Sequence, residues 1–168
     1  QAVDVAKTGK TDDDDASAET AWTPQINLGI DVCIPETYVP DLNVRLSIYR
    51  RIGDLGDPQA IDQMIAELVD RFGPLPDSVR NLFAFIELKQ LCRSANVEKI
   101  DAGPKGISLS FRDDQFARPE QLIGWIAGQG GRVQLRPDHR LFVKAPLEKS
   151  DMQAPACREV IQQLISLL

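Results

Sequence analysis

Residues 40–52 read Pro40-Asp41-Leu42-Asn43-Val44-Arg45-Leu46-Ser47-Ile48-Tyr49-Arg50-Arg51-Ile52, and this stretch predicts the helix around which the rest of the chain is organised. The helix should begin next to Asp41, because aspartate is a favourable N-cap residue and a proline precedes it. At roughly 100° per residue the apolar side chains cover an arc of about 200°, wider than the stripe of a surface helix. These side chains are Leu42, Val44, Leu46, Ile48, Tyr49 and Ile52. We therefore expect other elements to cover this helix on more than one side.

Arg45 interrupts the apolar arc of this helix. A buried charge without a partner is costly, and the nearest candidate partner is Asp41, four residues earlier. Alternatively, the aliphatic stem lies along the core and the guanidinium reaches water. We favour the second interpretation, because buried arginine is rare.

Length and composition indicate one globular domain with free cysteine thiols and no membrane-spanning segment. The chain has 168 residues, of which 43% are hydrophobic, and its net charge is −6. Three well-separated cysteines are typical of free thiols in a cytoplasmic protein, and there is no apolar run long enough to cross a membrane. They are Cys33, Cys92 and Cys157.

The first 24 residues differ from the rest of the chain. They contain the run Asp12–Asp15 and carry a charge of −4, which leaves −2 for residues 25–168. An acidic segment with few large apolar residues predicts a flexible linker, and we favour this over a site for a cation or a basic partner. Because the chain begins with Gln1, we expect it to be cut from a longer polypeptide. The slightly acidic body argues against non-specific binding of nucleic acids.

Residues 25–168 predict a small α+β domain. Alternating apolar residues over Ile26–Val32 indicate a strand, and Asp57-Pro58 and Pro76-Asp77 each indicate the start of a helix. Two hairpins are predicted within 97–111 and 133–143, with a short helix from Pro119 between them. A last helix should follow a cap at Ser150-Asp151. We expect about five helices packed on a small, mostly antiparallel sheet, in a single domain with a disordered N-terminal tail.

The sequence offers no catalytic centre. His139 is the single histidine, and its place in a hairpin turn indicates a solvated residue. The segments Gly103–Gly106 and Gly128–Gly131 lack the spacing and the following helix of a phosphate-binding loop. Trp125 is interpreted as a core residue, since no basic stripe accompanies it. We therefore expect no catalytic, cofactor or metal site, and no enzymatic activity in this chain.

The candidate site is instead a protein-binding surface. Glu67 and Asp70 are three residues apart on the predicted second helix, opposite its apolar stripe. Both carboxylates can therefore contact one basic surface. The alternative is an ordinary solvated helix face, which is the more common situation.

Two stretches, Ile34–Ile52 and Glu67–Asp77, resemble the C-terminal domain of bacterial transcription-repair coupling factors (Mfd). The similarity continues more loosely through Lys105-Gly106 to the last helix, and it covers about residues 25–168. It identifies residues 25–168 as the C-terminal regulatory domain of such a protein, joined by an acidic linker over residues 1–24.

The resemblance implies a parent that is an ATP-dependent DNA translocase of the helicase superfamily. Such a parent removes stalled RNA polymerase and recruits UvrA, and its ATP and magnesium belong to motor domains absent from this chain. The domain itself would be an autoinhibitory clamp that docks on the parent's own UvrB-like, UvrA-binding module. Contacts with UvrA, RNA polymerase and DNA would be indirect, and the isolated chain is expected to be a monomer.

The family's two acidic contact residues map onto Glu67 and Asp70. Residues 1–24 would be the tether that keeps the clamp at a high effective concentration. The alternative function is a nucleic-acid contact module that assists the motor; the acidic balance of the chain favours the clamp.

Overall fold

The computed structural model describes residues 22–149 and 152–168, which form five α-helices and one five-stranded sheet. In chain order the elements are β1 (Gln25–Asn27), α1 (Leu42–Gly53), α2 (Pro58–Phe72), α3 (Asp77–Ala95), β2 (Val97–Gly103), β3 (Gly106–Phe111), α4 (Pro119–Ala127), β4 (Val133–Leu135), β5 (Leu141–Lys144) and α5 (Gln153–Ser166). The predicted cap at Ser150-Asp151 and residues 1–21 of the predicted linker lie outside the described residues.

The sheet has the strand order β1-β2-β3-β5-β4, and only the β1–β2 pair is parallel. One face is fully buried under α3 and α5, with Ile100, Leu109 and Val143 all at 0% exposure. On the other face Ser108 and Phe142 are half-buried and Gln134 is exposed. The predicted α+β class and the mostly antiparallel sheet are confirmed.

Helix α3 connects two separate hydrophobic clusters. Val79 and Phe83 belong to a helical cluster, whereas Leu88, Cys92 and Ala95 belong to a cluster beneath the sheet. The helix can do this because its apolar residues point to two sides, as its sequence predicts. The helical cluster also contains Ile34, Val39, Ile48, Ile52, Ile61, Met64 and Leu68.

Capping residues mark where α1 and α2 begin and where α2 ends. The Asp41 side chain accepts a hydrogen bond from the Val44 amide at 3.0 Å, and that of Asp57 accepts one from the Ala60 amide at 2.7 Å. Each such cap contributes about 1 kcal/mol. Gly73 ends α2 with φ at +93°, a conformation that favours glycine. Both predicted N-caps are confirmed.

Helix α1 is buried on one side only, and the expectation of wider coverage is wrong. Ile48 and Ile52 are 1% and 2% exposed, but Leu42 is 58% and Leu46 is 45% exposed. The reason is that α2 and α3, which supply most of the helical cluster, pack on the side of Ile48 and Ile52. Within the described part of the chain, nothing covers Leu42 and Leu46.

Arg45 differs from both interpretations of its sequence position. Its guanidinium donates to the carbonyl oxygens of Val39 at 2.8 Å and Pro40 at 3.1 Å, and lies 3.7 Å from the Glu36 carboxylate. The side chain is only 12% exposed, so the charged end does not extend into water. Asp41 instead caps α1. Arg45 therefore links the loop before α1 to the first turn of that helix by hydrogen bonds.

Strand β1 ends at Asn27, five residues before the predicted end. The backbone amide of Gly29 donates to the side-chain oxygen of Gln153 at 2.7 Å, and this bond draws the chain away from the sheet towards α5. Leu28 and Ile30 still pack against the sheet cluster, which explains their apolar alternation without a longer strand.

The three cysteines should differ sharply in reactivity. Cys33 is exposed, whereas burial raises the pKa of the Cys92 and Cys157 thiols to about 12. Because the thiolate is the nucleophile, iodoacetamide at pH 8 should label Cys33 alone in the folded chain and all three residues in denaturant. Mass spectrometry of the two samples checks this. Labelling of Cys92 or Cys157 under native conditions would contradict the packing described here.

Candidate protein-docking surface

Helix α2 carries the two predicted contact residues on different parts of its polar side. The helix buries Ile61, Met64 and Leu68, which fixes its rotation about its axis. Asp70 is exposed on the outer side, and Glu67 is half-buried on the flank that faces α1. Both residues are thus on the surface of one helix, but they have different surroundings.

Glu67 is held by a two-pronged ion pair with Arg51 of α1. The Arg51 Nη1 atom lies 2.5 Å from Glu67 Oε2, and Nη2 lies 2.9 Å from Oε1. Arg71, one turn further along α2, places Nη1 at 3.9 Å from Oε2. The hydrogen bond from Arg51 holds the pKa of the Glu67 carboxyl below its usual value, so this group is a carboxylate at neutral pH.

The surroundings of Asp70 differ from those of Glu67. Its side chain is exposed, and among residues 22–149 and 152–168 it has no hydrogen-bond or ion-pair partner. Its carboxylate is therefore available to a basic group of another protein without breaking an existing contact. We call the surface formed by Arg51, Gln63, Glu67, Asp70 and Arg71 the α2 docking surface.

A shallow cavity adjoins the α2 docking surface, between α1 and α2. Its volume is about 390 Å³, and Arg51, Asp54, Gln63 and Glu67 supply its polar lining. Leu55 and Met64 add an apolar floor. The surface thus offers a depression with charged edges, which suits a protruding side chain of a partner protein.

Arg51 was not singled out from the sequence as part of this site. It is 16 residues from Glu67, and the bend between the two helices brings the side chains together. The sequence places Arg51 on the polar side of the predicted α1. A side chain on that side can be solvated or can contact another helix, so its position alone does not indicate a partner.

The other sequence features have structural roles. A Cβ atom at Gly106 would lie 2.2 Å from the Val143 carbonyl oxygen, so this glycine allows close approach of β3 and β5. The Trp125 indole donates to Gln163 of α5 at 3.2 Å and packs against the sheet cluster. His139 is exposed in the turn between β4 and β5.

The described residues contain no group of three or more histidine, cysteine or acidic side chains placed to hold a metal ion. Within the same residues, none of the helices combines the length and the hydropathy that a bilayer crossing requires.

Comparison with known proteins gives a family match and several related sequences. The model of the TRCF domain family matches residues 28–122. The transcription-repair-coupling factor of Rickettsia bellii is 33% identical over 139 residues, which cover 82% of this chain and 12% of the relative. That of Escherichia coli is 28% identical over 165 residues, or 97% of this chain and 14% of the relative. The chain thus spans about an eighth of the length of these relatives.

A solved structure shares the fold. The crystal structure of the C-terminal domain of transcription-repair coupling factor superposes with a TM-score of 0.70 at 19% sequence identity. The match covers 86% of this chain and 92% of that domain. This chain therefore has the same overall fold as that domain.

Proposed function

Because this chain belongs to the transcription-repair coupling factor family and has the fold of that family's C-terminal domain, we propose that it is an autoinhibitory protein-interaction domain. It docks through the α2 docking surface on the UvrA-binding module of its own parent protein. While docked, it hides the surface that UvrA recognises.

The observation that carries this proposal is the exposed carboxylate of Asp70 beside Glu67, for which the described residues supply no partner. Glu67 already binds the Arg51 guanidinium with both oxygens, which leaves the exposed Asp70 carboxylate to meet a basic side chain of the module. A basic patch on the module would meet Asp70 directly and Glu67 at the edge of the contact. Charge pairs of this kind select a partner and fix its orientation more than they add affinity.

In this proposal the chain has no enzymatic activity of its own. The parent is an ATP-dependent DNA translocase of the cytoplasm, whose motor domains bind ATP and magnesium, remove stalled RNA polymerase and recruit UvrA to start excision repair. The closed and open forms are in equilibrium, and engagement with polymerase favours the open form. The acidic segment over residues 1–24 acts as the tether that makes docking intramolecular.

A binding experiment with two purified proteins tests the proposal. We expect this chain to bind the isolated UvrA-binding module with one-to-one stoichiometry in calorimetry, more weakly as salt is added. Asp70→Asn should weaken binding, because it removes the unpaired charge without changing the shape. Asp62→Asn is the matched control, since Asp62 is another exposed carboxylate of α2 outside the docking surface.

Absence of binding by the folded wild-type chain would contradict the clamp. Equal losses for Asp70→Asn and Asp62→Asn would contradict the assignment of the surface. A salt-dependent shift of DNA by the chain, without binding to the module, would support the nucleic-acid contact module instead.

A further inference from the structure

We infer that Arg51 limits the strength of docking at the α2 docking surface, because it competes with the docking partner for Glu67. This inference rests on the proposed function. Docking at Glu67 is then an exchange of one guanidinium for another, whereas docking at Asp70 is a new contact.

The geometry of the Arg51–Glu67 pair makes it a competitor. Two guanidinium nitrogens contact the two carboxylate oxygens at 2.5 and 2.9 Å, which is the fork arrangement that arginine forms and lysine cannot. An incoming cation therefore finds the most favourable approach to Glu67 already occupied. Arg71, at 3.9 Å from the same carboxylate, adds a second positive charge and repels the newcomer further.

The exposure of the pair permits the exchange. The side chains of Arg51 and Glu67 are 46% and 38% exposed, so water reaches both and the pair contributes little to folding. Arg51 is not a member of the helical cluster, so it can swing away without removing an apolar side chain from that core. The Arg51–Glu67 ion pair thus weakens docking by a modest amount, and because docking is weaker, the clamp can still open.

Two substitutions at Arg51 separate competition from net charge. Arg51→Gln removes both the fork and the charge, and Arg51→Lys removes only the fork. We expect both to tighten binding to the purified UvrA-binding module, Arg51→Gln by about three- to fivefold, the range that exposed ion pairs allow. Circular-dichroism melting should show that both variants remain folded.

A double-mutant cycle with Glu67→Gln completes the test. Tightening by Arg51→Gln should vanish when Glu67→Gln is also present, because there is then no carboxylate to release. Two results would overturn the inference. Weaker binding by Arg51→Lys would mean that Arg51 positions Glu67 for docking. Equal tightening by Arg51→Gln with and without the Glu67 carboxylate would mean that only long-range charge matters. Failure of the wild-type chain to bind the module is a separate outcome and contradicts the proposed function.

Discussion

The Phe83→Ala substitution should lower the free energy of unfolding by about 3–5 kcal/mol, the largest loss that we expect from a single change in this domain. Phe83 is 3% exposed and lies in the helical cluster with residues of α1 and α2. Its truncation removes apolar area from the core and leaves a cavity that three helices cannot close without moving. The same loss should loosen α2 and with it the docking surface.

Denaturant unfolding followed by circular dichroism measures this effect. The matched control is Phe85→Ala, because Phe85 lies two residues further along the same helix but is only half-buried, with the Lys89 amino group 5.0 Å from its ring centre. We expect a clearly smaller loss for the control. Equal losses at the two positions would contradict the central role of Phe83 in the helical cluster.

The second large effect concerns the clamp in the full-length parent. Under the proposed function, joint substitution of Glu67→Ala and Asp70→Ala should allow UvrA to bind without stalled polymerase, because the module would no longer be covered. We expect an increase in apparent UvrA affinity of about tenfold or more, as contacts between charged partners across an interface are costly to truncate. The increase cannot exceed the docking free energy that is lost.

Side-by-side UvrA binding by the wild-type and doubly substituted parents checks this prediction. Thermal unfolding of the isolated chain with the same changes is the control, and it should shift little because both side chains are solvent-exposed or half-exposed. Unchanged UvrA affinity in folded proteins would remove the two residues from the mechanism. A lower melting temperature with unchanged binding would assign the Arg51–Glu67 pair to the fold instead.

Features that depend on neighbouring residues were predictable from the sequence. Asp41 and Asp57 cap the helices that follow them, and Gly73 ends α2, because capping uses atoms within a few residues of one another. The α+β class also followed, since helical and alternating patterns succeed one another in a fixed order. Asp70 was correctly expected to be exposed, as it lies opposite the buried stripe of its own helix.

Features that depend on how helices pack were not predictable. The apolar arc of α1 shows that Leu42 and Leu46 are hydrophobic, but not that no described element covers them. The pairing of Arg51 with Glu67 requires the angle between two helices, which neither helix encodes alone. The same holds for Gln153, whose bond to Gly29 shortens β1 across 124 residues of sequence.

Helix α3 links events at the docking surface to the rest of the domain. Its two halves lie in different hydrophobic clusters, so we expect the two clusters to unfold together as one cooperative unit. A protein that binds only the folded α2 therefore stabilises the sheet as well, by mass action. The backbone amides of β2 and β3 should then exchange for deuterium more slowly when the clamp is closed. Deuterium exchange in the sheet would thereby report partner binding at a docking surface that the sheet does not contact.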